Sequence, residues 1–111
     1  MQPTLKVWCG KNIAHILVLF QHPFFGVLHS KPDRDACRLL GSGDVQVSME
    51  IPLTSSRCGA VDVDGVRSLV LEIHKHTMVE TRDDVSFLVQ CPATNIHRPQ
   101  WLGFFLITLF Y

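Results

Sequence analysis

Asp44-Val45-Gln46-Val47-Ser48-Met49-Glu50-Ile51, followed by Pro52, alternates polar and apolar residues without a break. Successive side chains of a strand point to opposite faces, so this run predicts a half-buried strand with Val45, Val47, Met49 and Ile51 on one side. Pro52 carries no amide hydrogen and ends it. Val85-Ser86-Phe87-Leu88-Val89-Gln90-Cys91 repeats the period, with Val85, Phe87, Val89 and Cys91 in phase. Leu5, Val7 and Cys9 are in phase near the N-terminus, and Leu69, Leu71 and Ile73 share a face between Ser68 and Ile73. Ile13 to Phe20 reads as a strand buried on both faces, with a short buried helix as the alternative. Pro23 to His29 reads as a further strand in which Gly26 marks a bulge or a close approach.

Turn chemistry separates these runs at Lys31-Pro32-Asp33, Gly41-Ser42-Gly43-Asp44 and Asp62-Val63-Asp64-Gly65. No segment sustains a capped helical period. Short strands at this spacing predict an all-β, antiparallel, two-sheet sandwich.

A chain of 111 residues is room for one domain. It buries only about two-thirds of the surface its unfolded chain exposes, so cross-links help it. Lys plus Arg equals Asp plus Glu at ten each. That balance provides no basic field for nucleic acid or anionic lipid. The four cysteines, Cys9, Cys37, Cys58 and Cys91, are widely spaced and include no C-x-x-C pair. Two disulfides are the first reading, free thiols in a cytosolic protein the second. Disulfides imply an oxidising, extracellular compartment. Residues 1–9 lack the basic start, apolar core and small-residue cleavage site of a secretory leader. The expectation is therefore a fragment, or a reading frame lacking its true N-terminus.

Pattern is lost after Cys91, which places the domain at residues 5–91. Residues 92–111 are expected to be a non-domain apolar tail, either translated non-coding sequence or a truncated segment. The run Trp101 to Tyr111 is roughly half the ~20 residues a membrane span needs. A buried strand is the other reading of it.

Placed on this strand frame, the cysteines bring out an ordered set of features. Cys9 is followed by an apolar strand and the turn Pro23-Phe24-Phe25-Gly26-Val27; Cys37 precedes a Gly-rich turn and the alternating strand that ends in Ile51-Pro52-Leu53. Then come Cys58-Gly59, an acidic-Gly turn, the strand running into His74 and His76, an Asp pair, and Phe87 to Cys91. From about Leu5 to Cys91 the chain resembles the N-terminal half of a zona pellucida (ZP) domain, the ZP-N module, in the style of arthropod and nematode cuticle-associated (cuticlin-like) ZP proteins.

The resemblance implies an immunoglobulin-like sandwich whose first cysteine pairs with the fourth and second with the third, hence Cys9 with Cys91 and Cys37 with Cys58. Sequence alone allows three pairings. The inward phase of Cys9 and Cys91 favours this one. ZP-N modules usually carry a tyrosine shortly before the last cysteine, where this chain has Phe87. Trp8 is out of phase with Cys9, so no core tryptophan stacked on the disulfide is expected.

Catalytic chemistry finds little support. Ser55 and Ser56 have no G-x-S-x-G context, and no Gly-rich phosphate loop opens a helix. Asp62-x-Asp64-Gly65 lacks the remaining ligands of a calcium loop. His74 and His76 stand two residues apart, close to Glu72 and Glu80, with His15, His22, His29 and His97 elsewhere. With Leu69, Leu71 and Ile73 in the core phase, Glu72, His74 and His76 are expected on the solvent face, and Asp83-Asp84 in the turn that reverses the chain. The expectations are accordingly no catalytic residue, no cofactor and no metal, with Cys9, Cys91, Cys37 and Cys58 as the structurally decisive residues. The expected function is that of a non-enzymatic extracellular structural module which polymerises a ZP-domain protein into apical matrix or cuticle. Its partners would be copies of itself, other ZP-domain proteins and matrix, and the parent protein could carry a membrane anchor. A receptor-type immunoglobulin-like ectodomain binding a protein ligand is the alternative, and a small metal-dependent enzyme the third reading.

Overall fold

The computed structural model describes residues 2–31, 35, 37–54, 56–77, 84–92 and 107–110. The turn at Pro32-Asp33, Ser55, Glu80, Asp83 and His97 lie outside the described residues, as does most of the 92–111 tail. Among the described residues the strands are β1 (Thr4–Cys9), β2 (Ile13–Leu19), β3 (Val27–Ser30), β4 (Arg38–Leu40), β5 (Gln46–Pro52), β6 (Val61–Val63), β7 (Val66–His74), β8 (Val85–Pro92) and β9 (Ile107–Phe110). One 3-10 turn, Ser56–Cys58, follows β5.

All pairings are antiparallel. One sheet has the order β1-β2-β5, the other β4-β3-β7-β8-β9, with β6 hairpinned onto β7. The chain leaves the first sheet after β2, builds β3 and β4 in the second, and returns as β5 beside β2. That exchange of strands between facing sheets makes an immunoglobulin-like sandwich. Within 92–111, Pro92 ends β8 and Ile107–Phe110 add a strand beside it.

The period-2 pattern places the core. Leu5, Val7, Ala14, Ile16, Val18 and Ile51 from one sheet meet Leu28, Leu69, Leu71, Ile73, Phe87 and Val89 from the other in one buried cluster. Each fully buried aliphatic side chain contributes about 1.5–3 kcal/mol. Both disulfides form as the resemblance implied, Cys9–Cys91 with Cα atoms 5.6 Å apart and Cys37–Cys58 with 5.5 Å. The first ties β1 to β8, and therefore sheet to sheet. The second ties the entry to β4 to the 3-10 turn after β5. Arg67 Nη1 also reaches between sheets, donating to Asn12 Oδ1 at 2.7 Å.

Several expectations are corrected. Val45 is 49 % exposed rather than inward. It precedes β5, where its carbonyl accepts from Phe20 N at 2.7 Å. β2 is buried on one face only: Ala14, Ile16 and Val18 point inward, while His15 is exposed and Ile13, Leu17 and Leu19 are half-buried. Pro52 ends β5, as expected, and is itself the last residue of the strand. The reason is the direction of the amides. Phe20 N bonds Val45 O and Leu53 N bonds Asn12 O, and both pairs continue the β2–β5 register. Hydrogen-bonded pairs alternate along an antiparallel ladder. Val47, Met49 and Ile51 therefore direct their amides toward β2, whereas Gln46, Ser48, Glu50 and Pro52 face away from it. At such an edge position no donor is required of proline.

The β6–β7 hairpin turns on Asp64 and Gly65, with φ of 54° and 81°. Two positive φ values in a two-residue loop are the signature of a type I′ turn. Asp64 is thus a turn residue, whereas Asp62 lies within β6 opposite Arg67, and both are exposed. Gly26 is a close approach, as expected. A Cβ there would collide with the backbone carbonyl of His74.

The core contains one polar flaw. Ser30 is fully buried at the end of β3, on the inward phase with Leu28, and its Oγ has no hydrogen-bond partner. Leaving a buried hydroxyl unpaired costs about 1–3 kcal/mol. Ser30→Ala is therefore expected to stabilise the domain by about 1 kcal/mol, read as a higher urea midpoint with an unchanged slope. A lower midpoint would show that the hydroxyl is satisfied.

Candidate metal centre

β3 and β7 are 45 residues apart in sequence at the positions that meet here, yet their register sets His29 opposite Glu72 and Val27 opposite His74. Leu28, Leu71 and Ile73 take the core phase. His29, Glu72 and His74 therefore project together from the other face of the same two strands. That face was expected to be wet, and for these residues it is not. His29 is 5 % and His74 4 % exposed, and the Glu72 side chain only 14 %. His76 is exposed, in the bend after β7, and cannot join His74 as a ligand pair from the strand.

The three side chains converge on one point. His29 Nε2 lies 2.8 Å from His74 Nε2, and Glu72 Oε2 lies 3.1 Å from the latter and 3.6 Å from the former. The two rings are stacked, with centroids 4.8 Å apart. Each imidazole is held from behind. His29 Nδ1 is 3.1 Å from the Ser30 carbonyl, and His74 Nδ1 is 2.9 Å from Asp84 Oδ2. A carbonyl and a carboxylate only accept, so both Nδ1 atoms carry the hydrogen and donate it. The two Nε2 atoms then face each other and Glu72 Oε2 across the cluster. The second oxygen of Asp84 accepts from Lys75 N at 2.9 Å, which fixes the carboxylate against the bend. Lys31 Nζ holds Glu72 Oε1 at 2.9 Å, so Oε2 is the oxygen that faces the histidines.

Two ring nitrogens and a carboxylate oxygen thus meet where little water reaches. Such a triplet is a ready set of donor atoms for a cation. Two imidazole nitrogens and one carboxylate oxygen are the donor set of zinc and of its transition-metal neighbours.

The remaining histidines lie elsewhere. His15 is exposed on β2, with Nδ1 3.7 Å from Glu50 Oε1. His22 and His76 line a cleft of about 430 Å³ beside Phe20, Phe24 and Phe25. The sequence reading therefore held two of the three members of the cluster, Glu72 and His74, but assigned them to solvent and left His29 unconnected. The available signal was that Glu72, His74 and His76, successive residues on the outward phase, are all possible metal ligands. Only the β3–β7 pairing supplies the third. The chain matches no family model, no curated protein and no solved structure.

Proposed function

We propose that this chain is an extracellular structural module that assembles with copies of itself or with related modules through a strand edge, as its zona pellucida resemblance implies. Two nested disulfides around a small sandwich suit an oxidising compartment. They also stiffen the protomer, which lowers the entropy lost on assembly.

The observation that carries the reading is the outer edge of β5. Among the described residues β5 pairs only with β2, and its amides at Gln46, Ser48 and Glu50 point away from that partner. An open edge of this kind offers directional backbone hydrogen bonds to a second chain. Its only charged residue is Glu50. Exposed apolar residues elsewhere, among them Trp8 on β1 and Val61 and Val63 on β6, add surface that association can cover.

Ser48→Pro tests the edge, because it deletes an outward amide and no β2–β5 hydrogen bond. Wild-type protein is expected to self-associate with rising concentration in sedimentation velocity. Ser48→Pro is expected to remain monomeric with its disulfides intact. A wild-type chain that stays monomeric throughout would favour the receptor-type ectodomain instead. A proline variant that associates as well as wild type would remove β5 from the mechanism.

A further inference from the structure

We infer that His29, Glu72 and His74 form a binding site for a divalent transition-metal ion of the zinc class. The ion would sit on the outer face of the β3–β7 pair. The geometry is close to what coordination requires. Around a tetrahedral ion with bonds of about 2.0–2.1 Å, donor atoms stand about 3.3 Å apart. Here the three separations are 2.8, 3.1 and 3.6 Å, a spread that small side-chain rotations remove. All three ligand atoms lie within 4.8 Å of one another. Nδ1 of each ring sits at an acceptor, which leaves Nε2 of each ring as the atom available to the ion. Asp84 behind His74 and the Ser30 carbonyl behind His29 are the outer-shell acceptors that orient such ligands and raise their basicity.

The protein donors number three, so a fourth position is left for water or an incoming donor. Calcium and magnesium, which take oxygen ligands, do not fit a site with two nitrogens. All four cysteines are engaged in disulfides, so thiols cannot compete for the ion. The ion would join β3 to β7 and, through Asp84, the start of β8. Its effect on stability is therefore direct, and it is independent of whether the module self-associates.

The test titrates zinc chloride into the intact oxidised chain, held at a concentration where it is monomeric. Calorimetry and native mass spectrometry report stoichiometry, and thermal melting reports linkage. One zinc per chain, a raised melting temperature and no response to calcium are expected. His29→Gln and His74→Gln should each abolish the stoichiometric event, while His22→Gln and His76→Gln leave it unchanged. Asp84→Asn keeps all three ligands and should weaken zinc about 10- to 100-fold. Because a ligand variant could lose its fold, circular dichroism without metal accompanies each one. The Asp84→Asn affinity provides a second reading that does not remove a ligand. Absence of zinc binding by the wild type, or full binding by folded His29→Gln, would overturn the assignment.

Discussion

Cys91→Ser is expected to abolish accumulation of folded protein. The Cys9–Cys91 bridge spans 82 residues and is the covalent link between the two sheets. In the chain-entropy description a loop of that size is worth about 4.5 kcal/mol, against about 3 kcal/mol for the 21-residue separation of Cys37 and Cys58. Either figure rivals a total stability of about 5–15 kcal/mol. Cys91 is also fully buried, so serine adds an unpaired hydroxyl to the core at a further cost of about 1–3 kcal/mol. Cys58→Ser should impair folding severely but less completely. Yield of folded protein, non-reducing mass mapping and urea unfolding of what survives give the order. Wild-type yield from Cys91→Ser, or a more damaging Cys58→Ser, would contradict the ranking.

Gly26→Ala is the second large effect, and its cause is space rather than conformation. The added methyl would meet the His74 carbonyl and come within 2.8 Å of the Lys75 carbonyl carbon and oxygen. Overfilling a core usually costs about 1–3 kcal/mol, because side chains can shift. Here the obstacle is backbone, so the start of β3 must move off β7, and a loss of about 3 kcal/mol or more is expected. The same movement separates His29 from Glu72 and His74. Stability and zinc binding should therefore fall together in this variant. Gly65→Ala is the informative contrast: its φ is 81° and nothing lies within 4 Å of the added Cβ. Only the left-handed backbone is penalised there, by about 1–2 kcal/mol, and the metal centre should be untouched. Denaturant midpoints and zinc affinities of the two variants separate these causes. A Gly26→Ala protein of wild-type stability would show that the β3–β7 approach is looser than described.

The strands were legible because each carries its own evidence. Val85, Phe87, Val89 and Cys91 alternate with polar or half-buried neighbours and are all buried in β8. Leu69, Leu71 and Ile73 do the same in β7. Gly26 announced a close approach, and Asp64-Gly65 announced a turn. Val45 was misplaced because alternation continues one residue past the point where the ladder with β2 stops. β2 read as buried on both faces because apolar composition does not reveal how many layers cover a sheet. Its outer side has only half-buried Leu17 and Leu19, with His15 exposed.

The candidate site shows where local reading ends. That Glu72 and His74 share a face followed from the period of two. That the face is dry did not follow, because burial of an outward phase depends on what the neighbouring strand places beside it. His29 arrives there only because β3 pairs with β7 in a register that sets His29 opposite Glu72. By itself, then, the sequence determined the strand class, the turns, the inward phase of Cys9 and Cys91 and the balance of charge. These depend on side-chain alternation and backbone chemistry within a few residues. The tertiary structure decided which strands are neighbours, and with that the meeting of two imidazoles and a carboxylate. Contacts across 45 residues are set by the global packing of two sheets, and no short-range pattern encodes them.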